Sequence, residues 1–320
     1  MKVTYFNNCW FTNVGEGFID IGAYKMIKHI FGEETSVVTV TTMSDWYVDK
    51  NKNWKSLPSK LVKKFSPKKF ESQYLEKTAN LFDLYKTDYF VLAGMFATES
   101  FLNAKSSKLL LKIAQNGTKI IFLGLGGATY TKQEVEKFSR YLKQLNPYLV
   151  VTRDYATYEN YKDTVNCISG IDCAFWIKDS FNPKCAVNKE FDIVTFNRTK
   201  EPEKYSKIKD RLIIKPQHFQ YEFNTKLICE NCMISDSPYD YISLYANASY
   251  VYTDLVHATV ISLEYGTPVQ FMPVDGRAKL FDHLEGLTKD ENGFLHLDEL
   301  KLENQKNEII SKIKRNINII

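Results

Sequence analysis

A histidine at a strand-to-helix junction can hold and move a proton, and this chain carries one near its C-terminal end. From residue 249 the sequence reads SYVYTDLVHATVISLEYGTPVQFMP. Residues 250–253 form a short β-favouring run, Asp254 has the chemistry of an N-cap, and His257 falls in the first helical turn. Val260, Ile261 and Leu263 continue the helix, Gly266 ends it, and residues 268–272 read as the next strand. In a parallel sheet such a junction lies at the carboxyl edge of the strands, where open α/β folds take their ligands. The unpaired N–H groups of a helix start also favour an anion. His257 is therefore expected to face a cleft as a functional residue; a histidine that only helps cap the helix is the alternative.

Three further strand ends carry ionisable or polar groups. Arg153-Asp154 follows 150–152, Asn197-Arg198 follows 192–196, and Lys215 and His218 follow 212–214. Arginine is scarce beside lysine, so a guanidinium at a strand end is informative: its planar fork grips carboxylate or phosphate at two points. If two α/β units set these edges opposite one another, the groups gather in an electropositive cleft suited to a substrate with phosphate and carboxylate. Near the N-terminus, Asn13-Val14-Gly15-Glu16-Gly17 reads as a loop ahead of a helix over 18–31, with glycines that let backbone approach a ligand closely. Gly124, Gly126 and Gly127 also follow a strand and precede a helix. Thr129 stands where a dinucleotide fingerprint needs a small residue, and no acidic residue ends a strand at the required distance, which argues against nicotinamide and flavin.

The elements that must position these residues alternate. Strands are expected over 2–6, 36–41, 89–93, 119–123 and 148–152, with helices over 18–31, 72–84, one ending near 116, and 132–145. This βαβα order predicts a parallel sheet covered on both faces. A polar segment over 178–189 reads as a linker. A second α/β unit follows, with strands over 192–196, 212–215 and 250–253 and helices over 239–246 and 279–284. The expected domains are 1–180 and 189–320.

The bulk numbers exclude other classes. A chain of 320 residues suits two domains, and a net charge of +4 gives no footprint for nucleic acid. No apolar run is long enough to span a bilayer, and MKVTYFNNCWF lacks a secretory cleavage site, so a cytoplasmic protein is expected. The six cysteines have no framework spacing and read as reduced thiols. Cys229 and Cys232 form a close pair without a second one, so no metal site is expected. A lysine-rich stretch over 50–69 reads as a solvated face, with a basic flap over an anionic substrate or a lipid surface as the alternative. Ile309, Ile313 and Ile317 lie on one helical face, which predicts a terminal helix packed back on the protein; a membrane-surface helix is the alternative and leaves peripheral membrane contact open.

At these residues the chain resembles the polysaccharide pyruvyl transferase family over nearly its whole length. The family's early N-x-G-D/E segment is similar to Asn13-Val14-Gly15-Glu16. Its apolar strand ending in glycines resembles VLAGM at 91–95, where Ala93 and Met95 depart from the pattern, and its G-x-G strand end resembles IIFLGLGG. Its R-D element resembles VVTRD at Arg153, and the arginine ending the first strand of its second domain resembles Arg198. Its R-L-H-A, helix and G-x-P resemble Leu255-Val256-His257-Ala258 and Gly266-Thr267-Pro268; a basic residue nine positions before a glycine resembles Arg277 and Gly286. Leu255 departs from the family arginine, which moves the grip on an anionic donor to Arg153, Arg198, His218 or Arg277.

The resemblance implies α/β architecture with two Rossmann-like domains facing a cleft, a GT-B-like arrangement, acceptor on the N-terminal side and donor on the C-terminal side. It implies transfer of a pyruvyl group from phosphoenolpyruvate to a sugar of a saccharide or lipid-linked saccharide, forming a ketal, without metal or organic cofactor. His257 and Asp254 are then the catalytic pair, and Arg153, Arg198, His218, Arg277, Asn13, Gly15 and Glu16 bind substrate. A GT-B-type glycosyltransferase with a nucleotide-sugar donor and a non-catalytic glycan-binding homologue share the architecture and stay open.

Overall fold

Apolar runs without alternation build the central strands of two sheets, which are buried on both faces. The structure, a computed structural model, describes residues 1–7, 13–41, 86–185, 190–206, 210–218 and 231–319. The expected helix over 72–84, the lysine-rich stretch over 50–69 and Cys229 lie outside these residues.

The first sheet is wholly parallel, in the order β2-β1-β3-β4-β5-β6. Its strands are β1 (Lys2–Asn7), β2 (Ser36–Thr41), β3 (Tyr89–Ala93), β4 (Lys119–Leu125), β5 (Leu149–Thr152) and β6 (Cys167–Ser169). The helices between them are α1 (Val14–Phe31), α2 (Glu99–Asn103), α3 (Lys105–Gln115), α4 (Lys132–Leu145) and α5 (Tyr155–Tyr161). Every residue of β3 is buried, as an apolar pentapeptide in a central parallel strand must be.

The second sheet runs β12-β13-β11-β10-β7-β8-β9. Parallel strands β7 (Phe191–Thr195), β8 (Leu212–Pro216), β9 (Cys232–Met233), β10 (Val251–Thr253) and β11 (Val269–Phe271) are extended by an antiparallel hairpin, β12 (Leu287–Lys289) and β13 (Leu295–Leu297). Helices α6 (Glu203–Ser206), α7 (Pro238–Asn247), α8 (Val256–Glu264) and α9 (Glu299–Asn316) belong to this half of the chain. Chain order reverses between β1 and β3 in one sheet and between β7 and β10 in the other, and a crevice opens beyond the carboxyl ends at each such point.

Helix α1 joins the two halves. It is apolar around most of its circumference, with Val14, Phe18, Ile19, Ala23, Met26, Ile27 and Ile30 all buried. Such a helix belongs inside a core rather than on a surface. It packs on a 3-10 turn at Cys173–Trp176 and against α7, α8 and α9. Gly22 permits the closest of these approaches: a Cβ there would overlap the carbonyl oxygen of Cys173. Gly22→Ala is therefore expected to cost about 1–3 kcal/mol or more, because backbone must move to admit it. A urea midpoint equal to that of the parent would contradict this reading.

Helix α9 runs back against α1 and β6 and buries Leu302, Ile309, Ile310, Ile313 and Ile317. Its buried Lys306 ammonium lies 2.6 Å from Asp179 and 2.7 Å from Glu303, and 3.7 Å from buried Glu264. No described helix is long and apolar enough to cross a membrane.

The structure corrects the expected boundaries at three places. Helix α1 begins at Val14, so Gly15, Glu16 and Gly17 form its first turn rather than a preceding loop. The helix expected over 279–284 is a 3-10 segment, Gly276–Phe281. The β12–β13 hairpin was not expected, because three-residue strands carry too little pattern to register.

Candidate active site

A cavity of about 340 Å³ opens where the two sheets' carboxyl edges meet. Asn13 and Glu16 reach it from the start of α1, Phe96 from the segment after β3, Arg198 from the segment after β7, and His218 from the segment after β8. His257 on α8 and Arg277 after β11 complete the charged lining.

The start of α1 is built from both halves of the chain. Asn13 is its N-cap and accepts from the Gly15 N–H at 3.0 Å. The Val14 N–H, an orphan donor in any isolated helix, donates to the His218 carbonyl at 3.1 Å. His257 lies directly against this turn. A Cβ on Gly15 would stand 2.5 Å from His257 Nδ1, so only glycine lets the ring and the helix start share this space. The sequence pointed to the glycine; its neighbour is an imidazole rather than a ligand.

The partner expected for His257 is not the one found there. Asp254 does not cap α8; the N-cap position is Leu255, whose N–H donates to Thr253 Oγ1. The Asp254 carboxylate accepts instead from the N–H groups of Asn197, Arg198 and Thr199 at 3.1, 3.0 and 2.7 Å, and from Thr199 Oγ1 at 2.9 Å. Asp254 thus fixes the loop that carries Arg198. The carboxylate facing His257 is Asp172, with its Oδ2 3.9 Å from Nε2. That separation suits an ion pair but exceeds a hydrogen bond, and Nε2 is buried with no hydrogen-bond partner among the described residues.

Asp172 is fully buried and is held by three groups. Its Oδ1 accepts from the Ala174 N–H at 3.0 Å, and its Oδ2 lies 3.3 Å from Arg153 Nη1 as well as near His257. Burial alone would push its carboxyl up; the adjacent His257 and Arg153 outweigh that effect and hold it at about 2. It is therefore ionised at any working pH. The sequence offered one signal for it, a lone acid inside the apolar run GIDCAFWI. A buried charge in such a run must have a partner.

Arg153 sits behind the cavity rather than among the residues that line it. Its guanidinium is 4% exposed, pairs with Asp172, and lies 4.3 Å from the Phe96 ring centroid. Gly126 makes room for it, since a Cβ there would overlap Arg153 Nε. One role of the Gly-rich loop is thus to admit an arginine. Arg198 and Arg277 do line the cavity. Both engage Asp275: Arg277 Nε and Nη2 donate to its carboxylate at 2.9 and 2.6 Å, and Arg198 Nη1 lies 3.6 Å away. The Arg277 hydrogen bonds hold the Asp275 carboxyl below its usual range, burial opposes this, and Arg198 adds to the lowering.

His218 is sealed in. Its ring pairs with the Tyr245 hydroxyl at 2.7 Å and packs edge-on to Phe18 and Tyr241. Burial, with a smaller effect from nearby His257, lowers its imidazole from 6.5 to about 3, so it is neutral at working pH. The folded state resists protonation and the unfolded state does not. The resulting stability is complete above pH 6.5 and is lost as pH falls toward 3, at about 1.4 kcal/mol per pH unit. His218→Gln is expected to flatten urea stability between pH 6 and 4; parallel pH curves for variant and parent would contradict the assignment.

The fold and site together define an α/β protein of two Rossmann-like units with a GT-B-like cleft. Solved structures match it end to end. A UDP-N-acetylglucosamine 2-epimerase from Listeria monocytogenes aligns with a TM-score of 0.58 at 11% identity, covering 99% of this chain and 90% of that one. The S. aureus MnaA–UDP co-structure aligns at 0.56 and 13%, covering 100% and 97%, and the Neisseria meningitidis UDP-GlcNAc 2-epimerase bound to UDP-GlcNAc at 0.53 and 11%, covering 100% and 94%. At these identities the likeness is one of fold. No curated protein sequence matches the chain. The polysaccharide pyruvyl transferase family model matches residues 13–275, from the α1 cap to the Asp275 carboxylate, and the chain belongs to that family.

Proposed function

We propose that this protein transfers a pyruvyl group from phosphoenolpyruvate to two hydroxyls of a sugar, giving a cyclic ketal on a polysaccharide or its precursor. The observation that carries the reading is the meeting of His257, Arg198 and Arg277 on one cavity between the sheet edges, within a chain of this family.

The chemistry asks for these residue types. The donor's methylene carbon takes a proton from His257, and the adjacent carbon becomes cationic. One sugar hydroxyl adds to it and returns its proton to His257. The second hydroxyl then displaces phosphate, which leaves with that hydroxyl's proton, and closes the ketal. Arg198 and Arg277 neutralise the carboxylate and the departing phosphate. A helix start disfavours an imidazolium, and ionised Asp172 opposes that effect from 3.9 Å. Asp172, itself fixed by Arg153, is thus a positioning residue that supports the protonated ring, and Asp254 positions Arg198 through its loop. Asn13, Gly15 and Glu16 present the α1 start to the substrate.

A second reading, a glycosyl transfer from a nucleotide sugar, draws on Leu255 in place of the family arginine and on the UDP-bound structural neighbours. Thermal stabilisation separates the two. Phosphoenolpyruvate is expected to raise Tm and UDP is not; the opposite pattern would overturn the proposal.

A further inference from the structure

Two arginines from separate loops meet on one carboxylate beside the cavity. Arg277 grips Asp275 with Nε and Nη2, and Arg198 approaches the same Oδ2 from the loop that Asp254 holds. A carboxylate gripped by two guanidinium groups is what an anionic substrate would itself present there. We propose that Asp275 is a resident counter-anion in the anion seat of this cavity, which a ligand must displace, so that it sets the charge a ligand needs in order to bind. The proposal rests on the reading that the cavity takes a small anion, and it adds the group that tunes selectivity.

The placement supports exchange. Asp275 is 41% exposed, so its carboxylate can turn to water without becoming a buried unpaired charge. Its tie to the backbone is local, from its Oδ1 to the Arg277 N–H at 3.0 Å, as the cap of the 3-10 turn. Leu255, 4% exposed on the cavity wall, offers no competing cation. Two guanidinium groups face the Asp275 carboxylate, and Glu16 adds a second acid to the cavity lining. A monoanion then meets a tethered rival of equal charge at high effective concentration. A ligand carrying both carboxylate and phosphate outbids that rival, because it brings more charge to both arginines.

The test uses the full chain at pH 8 with inorganic phosphate, phosphoenolpyruvate and pyruvate as probes, followed by calorimetry. Asp275→Asn keeps the capping oxygen and removes the charge. Phosphate is expected to bind the variant at least about tenfold more tightly than the parent, equivalent to about 1.4 kcal/mol. Pyruvate, excluded from the parent, is expected to gain measurable binding. Arg277→Ala is expected to lose phosphate binding. Asp290→Asn, in the β12–β13 hairpin, controls for net charge. Phosphate affinity that is unchanged or weaker in Asp275→Asn, a gain no larger than in Asp290→Asn, or no phosphate binding to either protein would overturn the proposal. Ketal formation without this gain would sink the counter-anion alone; the gain without ketal formation would sink the reaction alone.

Discussion

Replacing His257 with alanine is expected to lower ketal formation by about 10²–10⁴-fold, the usual worth of a positioned proton donor. The loss should fall on kcat rather than on KM if, as proposed, the ring acts on the reacting carbon and the arginines hold the donor. The fold should persist, because the ring lies at the cavity edge and its Nε2 makes no hydrogen bond to the described residues. Circular dichroism and a phosphoenolpyruvate thermal shift check both points. A variant with parental turnover would remove His257 from the chemistry.

Asp172→Asn is expected to produce a large stability loss. The Asp172 and Arg153 side chains are 1% and 4% exposed, so removing the carboxylate leaves a buried guanidinium without its counter-charge. Such a change typically costs about 3–5 kcal/mol. Asparagine retains the acceptor for the Ala174 N–H, which isolates the charge as the cause. The pH dependence has a definite sign. The folded carboxyl lies at about 2 against an ordinary 3.8, so its stabilisation is present above pH 3.8 and is lost as pH falls toward 2. The parent should show this acid loss and the variant should lack it. The same substitution should lower kcat with KM little changed, as His257 loses the carboxylate that faces it at 3.9 Å. Parental kcat in a folded variant would make Asp172 merely structural.

What the sequence made legible was local. His257 stood out because a strand, a turn and an apolar helix surround it within a dozen residues. The βα alternation led directly to the first parallel sheet and to the parallel strands of the second for the same reason. The partner was not local. Asp254 has the right spacing to cap α8, and nothing nearby reveals that three N–H groups of residues 197–199 claim its oxygens. Asp172 reaches His257 only because α1 and α8 both pack on the 3-10 turn that Asp172 caps. The glycines tell the same story. Their type announced close approach at Gly15 and Gly126, yet what approaches is His257 in one case and Arg153 in the other. His218 and Arg153 ended strands as expected, but flanking apolar residues that only the fold assembles removed them from solvent.

Mass spectrometry of candidate saccharides incubated with phosphoenolpyruvate and this protein tests the central claim most directly. The account predicts a saccharide carrying an added pyruvate ketal, released inorganic phosphate in equal amount, and both products lowered by about 10²–10⁴-fold with His257→Ala. Turnover of a nucleotide sugar on the same acceptors, with phosphoenolpyruvate left intact, would contradict it.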